Sequence, residues 1–131
     1  VIELTGRVGA NCLPELVEIN FGIEYYKMIA AMAVGENPLE YWGKRNSKTT
    51  AGLARMILST EESGTLEDIK YTGEMDEDIL EITFFKKTGD QIRKFVFSAD
   101  CIGQIIVKGS TLDECRAKIN KIMSNIEIKL K

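Results

Sequence analysis

The stretch GQIIVKGSTLDECRAKINKIMSNI, residues 103–126, leaves the chain the least conformational freedom. GQIIVKG reads as a short, nearly continuous apolar strand. Ser110 or Thr111 then starts a helix, and Glu114 completes a Thr-x-x-Glu capping box, in which each side chain satisfies an amide at the helix start. Leu112, Cys115, Ile119, Ile122, Met123 and Ile126 recur on one face. A strand that runs straight into an amphipathic helix needs further strands beneath that helix.

Those strands are found upstream. TAGLARMILS alternates Leu53, Arg55 and Ile57 against Ala54, Met56 and Leu58, and TLEDIKYTG is a second candidate. DILEITFF places Leu80, Ile82 and Phe84 on one face. KTGDQ is a turn signal, after which IRKFVFS returns with Phe95 and Phe97 on one face, so a hairpin is expected around Gly89. The closing EIKLK reads as an extended tail. The expected class is α+β, with residues 49–131 forming a small antiparallel β-rich domain closed by its C-terminal helix.

Residues 1–43 have another character. Val1 to Thr5 reads as a strand ending at Gly6, followed by a loop with Gly9 and Asn11. Pro14 suits the first turn of a helix in PELVEIN, which Gly22 interrupts. IEYYKMIAAMAVG is expected to be a buried amphipathic helix, with Tyr26, Ile29, Ala30 and Ala33 at helical spacing and Gly35 as its cap. ENPLEYWGKRNSK marks the crossing to the second part, and Trp42 is expected to anchor the packing there. A strand and helices alone leave apolar faces uncovered, so this part is too small to own a core.

Composition narrows the chemistry. The net charge of −3 and the lack of a basic face argue against nucleic acid and anionic membranes as partners. No apolar run approaches the roughly 20 residues that span a bilayer. The three cysteines, Cys12, Cys101 and Cys115, form no CxxC motif and fit a reduced, cytoplasmic setting. There is no histidine, which removes Ser-His and Cys-His catalysis. Chemistry must rest on carboxylates, Arg, Lys and backbone amides. The acidic run Glu74, Asp76, Glu77, Asp78 and Glu81 lacks the glycine and terminal Glu of a calcium loop and reads as a solvated turn.

In a strand, Glu3, Thr5 and Arg7 project on one side. A carboxylate and an oxygen donor two residues apart suit magnesium, and an arginine one pleat further can grip phosphate oxygens. Asn11 is read as a turn residue, with substrate contact as the alternative.

The run ELTGRVGANCLPELVEINFGIEYYKMIAAMAVGENP resembles the last segment of the ATP-grasp ligase core, where a Glu-x-Asn-x-Arg strand precedes a small-residue loop and a helix. The remainder, with Gly109, Thr111 and Glu114 at the helix start, is similar to the hybrid-barrel-like domain that follows that core in glycinamide ribonucleotide synthetase, biotin carboxylase and carbamoyl-phosphate synthetase.

The resemblance implies an ATP- and Mg²⁺-dependent carboxylate–amine ligase acting through an acyl phosphate. Glu3 would be a metal ligand. Thr5, where the family has Asn, would be a second metal or nucleotide contact. Arg7 would be the catalytic and nucleotide-binding arginine. The N-terminal and lid domains of the same polypeptide are then expected beyond these residues, with a homodimer as a further possible partner. The isolated segment is expected to be inactive. A free-standing, non-catalytic α+β module for oligomerisation or ligand binding is the alternative.

Overall fold

A computed structural model describes residues 7–42, 50–59 and 63–131. Its order is α1 (Leu13–Phe21), α2 (Tyr25–Val34), a 3₁₀ turn (Pro38–Tyr41), β1 (Ala51–Ile57), β2 (Gly64–Tyr71), β3 (Ile79–Phe84), β4 (Gln91–Ile92), β5 (Gly103–Gly109), α3 (Leu112–Ser124) and β6 (Ile126–Leu130). Two antiparallel three-stranded sheets form, in the orders β1-β5-β3 and β4-β2-β6. The architecture is α+β, as the sequence implies.

The core lies between the two sheets and α3. Ile57, Ile105 and Val107 from the first sheet meet Leu66 and Ile92 from the second and Cys115, Ile119 and Ile122 from α3. The capping box forms as expected: Thr111 Oγ1 accepts from the Glu114 amide, and Glu114 Oε2 accepts from the Thr111 amide. Leu112 departs from the expected apolar face and is exposed, because it precedes the first turn that reaches the sheet. Gly103 lets β5 approach β3 closely, since a Cβ there would stand 2.2 Å from the Thr83 carbonyl oxygen.

Several expectations are corrected. The turn at Gly89, with φ of 96°, does not pair the strand before it with the strand after it. β3 pairs with β5, and the short β4 pairs with β2. The turn is seated on β2 by the Gly89 amide, which donates to the Leu66 carbonyl, and beyond β4 the buried Asp100 carboxylate accepts from Arg93 Nε (2.5 Å) and from the Val96 and Phe97 amides. Those amides are diverted from any ladder, so residues 93–97 leave the sheet. The closing segment is extended, as expected, and β6 pairs with β2 along its length. Helix α2 forms and ends at Gly35, but only Ala31 in it is buried; among the described elements α1 and the 3₁₀ turn are its main neighbours. Trp42 stays 41% exposed and is no buried anchor. The expected strand Val1–Thr5 lies outside the described residues.

Burial works to raise the Asp100 pKa, but Arg93 and the two amides outweigh it and hold the carboxyl below its ordinary value. A depressed carboxyl stabilises the fold above the unfolded value of about 4, and that contribution is lost as pH falls through the folded value. Asp100→Asn is therefore expected to be less stable than the parent at neutral pH, with the gap closing below about pH 4 in a urea-unfolding series.

Candidate functional site

The loop at residues 7–12 joins the candidate arginine to α1. Arg7 is exposed, and its Nη1 donates to the Val8 carbonyl at 3.3 Å. Gly9 leaves room for Leu13 where the loop crosses the helix start, since a Cβ there would lie 2.3 Å from Leu13 Cδ2. Asn11 and Cys12 follow with φ of 57° and 62°, two consecutive non-glycine residues in the left-handed region. Each such residue costs about 1–2 kcal/mol, so the conformation persists only where its surroundings hold it. Asn11 is thus the turn residue that the sequence suggests. Pro14 occupies the first turn of α1, and the Leu16 amide donates to the Cys12 carbonyl at 3.0 Å.

The loop and α1 lie on the outer face of the first sheet. Leu16 and Ile19 of α1 press on β1 where Gly52 leaves room. Beside them the sheet carries a polar row. Cys12 Sγ donates to Gln104 Oε1 (3.2 Å), Gln104 Nε2 donates to Glu81 Oε1 (2.7 Å), and Thr83 Oγ1 donates to the same oxygen (2.6 Å). Burial first, then the nearby Glu15 and Glu81 carboxylates, push the Cys12 thiol up to about 11. A reactive thiolate is therefore not on offer at neutral pH. The helices are clamped to each other by Glu15, which accepts from the Tyr26 hydroxyl at 2.5 Å, and by Glu18, which accepts from the Tyr26 amide. That hydroxyl bond is the main reason the Tyr26 phenol is raised to about 12.

A cleft of about 460 Å³ opens beside Asn11, between polar groups of Ser98, Cys101 and Gln104 and apolar walls that include Met56 and Phe95. Among the described residues no charged side chain lines it. It suits neutral groups rather than an anion. A second cleft, about 400 Å³, contains Asp76, Asp78 and Lys118. Lys118 bridges both carboxylates at 2.8 and 3.1 Å. Partial burial disfavours this ammonium, but the two carboxylates outweigh it and keep its pKa above the ordinary value. The acidic run is thus partly spent on fastening a turn to α3, beyond the purely solvated role expected of it.

Of the predicted site residues, Arg7 stands on the loop, whereas Glu3 and Thr5 lie outside the described residues. Among the described residues no three or more His, Cys, Asp or Glu side chains converge to hold a metal. Gln104 is not singled out by the sequence, and Glu81 is read there only as part of the acidic run. A glutamine just ahead of the apolar Ile105-Ile106-Val107 run of β5 is the signal that points to Gln104.

Comparison with known proteins gives three findings. Residues 56–131 match the family model described as L-amino acid ligase C-terminal domain 2. The chain is 63% identical to a solved phosphoribosylglycinamide synthetase from Anaerococcus prevotii, covering 99% of this chain and 33% of that one, with a TM-score of 0.95. It is 20% identical to an L-amino acid ligase from Bacillus licheniformis, covering 94% and 30%, with a TM-score of 0.71, a likeness of fold. The chain thus spans about a third of the length of either structure. No curated protein matches.

Proposed function

The chain belongs to the L-amino acid ligase C-terminal domain 2 family, within the ATP-grasp ligases, and from that premise we propose that it serves an ATP-dependent carboxylate–amine ligase working through an acyl phosphate. The observation that carries this reading is the 63% identity over nearly the whole chain to a synthetase of that class, together with an arginine on the loop that enters α1. In this reading residues 1–43 are the end of the ligase core and 49–131 the small domain behind it.

Arg7 supplies a planar guanidinium, exposed on the loop, that can pair with two phosphoryl oxygens at once. Its part is to neutralise charge on the group in transfer, which in such reactions is most of what a protein contributes. The family resemblance assigns Mg²⁺ to Glu3 and Thr5, with a further acidic ligand from elsewhere in the polypeptide. A chain without histidine is suited to this reaction, because positioning and charge neutralisation need no imidazole.

The test uses the intact protein with ATP, Mg²⁺ and panels of carboxylates and amines. ADP should appear in step with amide, and only when both substrates are present. ATP cleavage to AMP, or none with any pair, would contradict the reading. The 131-residue segment alone is expected to bind Mg-ATP too weakly for calorimetry to detect at micromolar concentration.

A further inference from the structure

We propose that Gln104 is a positioning residue for the arginine loop, tying residues 7–12 through the Cys12 side chain to the β1-β5-β3 sheet, so that the sheet sets where Arg7 stands. Its bearing on catalysis rests on the reading of Arg7 given above; the tie itself does not.

The polarity of the contact is forced. An ionised Glu81 can only accept, so the Gln104 amide nitrogen must face it, which turns the amide oxygen toward Cys12. Cys12 must then be the donor, and its 3.2 Å contact is with that oxygen. The Thr83 hydroxyl donates to the same Glu81 oxygen and fixes the far end of the row. The thiol is buried between the Glu15 and Glu81 charges and stays protonated through neutral pH, as a donor must.

Gln104 is itself well anchored. It lies on the central strand of its sheet, in register with Met56 on one side and Thr83 on the other. The loop is then braced again within a few residues of Cys12: the Leu13 amide donates to the Ala10 carbonyl, and Leu13 packs against Gly9. A restraint at Cys12 therefore reaches back along the chain toward Arg7. Without it, the two left-handed residues at the hinge of the loop lose the side-chain contact that holds them on the sheet.

The experiment is made on the intact protein, comparing the parent with Gln104→Met, which keeps volume and loses both hydrogen bonds, and with Cys12→Ser and Cys12→Ala. Hydrogen exchange by mass spectrometry follows peptides covering residues 7–16 and 112–124. Gln104→Met is expected to speed exchange at 7–16 by about tenfold with 112–124 unchanged. In steady state it should lower kcat by about tenfold and leave the KM for ATP within about twofold. Cys12→Ser, which keeps a donor, should behave like the parent, and Cys12→Ala like Gln104→Met. The proposal is overturned if exchange at 7–16 does not change in Gln104→Met. It also fails if both segments accelerate together, or if Cys12→Ser is as impaired as Cys12→Ala. A parent protein with no ATP-dependent ligation would sink the ligase reading, while the exchange comparison alone would still decide the tie.

Discussion

Replacing Arg7 with alanine is expected to lower kcat of the intact ligase by about 10²–10³-fold, the cost of removing one preorganised charge donor from a transition state. The fold should not suffer. Arg7 is exposed on a surface loop and belongs to no core cluster. An unchanged unfolding midpoint beside a collapsed kcat would separate chemistry from stability. Arg7→Lys should recover only part of the loss, since an ammonium is a point charge and cannot grip two oxygens in one plane. Turnover within a few-fold of the parent for Arg7→Ala would remove the residue from the reaction.

The largest effect on stability is expected at Ile105. Its side chain is fully buried on the central strand of the first sheet, in a cluster with Ile57, Val107, Ile119 and Ile122. Cross-strand neighbours Arg55 and Ile82 fix its position on either side. Neither sheet can close over the space that truncation would leave, because α3 is held by its cap and the strands by their ladders. Ile105→Ala should therefore cost about 2–5 kcal/mol, a large share of the roughly 5–15 kcal/mol that holds an ordinary domain. Urea unfolding measures it. A loss below about 1 kcal/mol would mean that this face is not the core.

What could be read in the sequence follows from how local each feature is. The α3 start was legible because Thr111 and Glu114 satisfy each other across three residues, and Gly22 and Gly35 because a helix end needs a left-handed residue there. Strand existence was legible from alternation, but pairing was not. Which strand the segment after Gly89 joins is decided by distant partners: the Gly89 amide donates to the Leu66 carbonyl and the Leu66 amide to the Asp90 carbonyl, which seats Gln91–Ile92 beside β2. The site divides in the same way. The sequence shows Arg7 in a glycine-punctuated loop, and its proposed role comes from the family resemblance. Its support was not legible, since Cys12 and Gln104 are 92 positions apart and only the folded sheet brings them together. The exposed apolar surface of α2, at Tyr26, Met32 and Val34, was misread because periodicity reports an apolar helix and not what covers it.

The central claim is an acyl phosphate made from a carboxylate substrate and ATP, and isotopic oxygen tests it most directly. The intact protein is given ATP, Mg²⁺, an amine and the carboxylate labelled with ¹⁸O in both oxygens, and the released inorganic phosphate is examined by mass spectrometry. Attack by a carboxylate oxygen on the γ-phosphorus, followed by amine attack on the carbonyl, leaves one ¹⁸O in each phosphate, and that is the predicted result. Phosphate without label, or label recovered in AMP, would contradict the account.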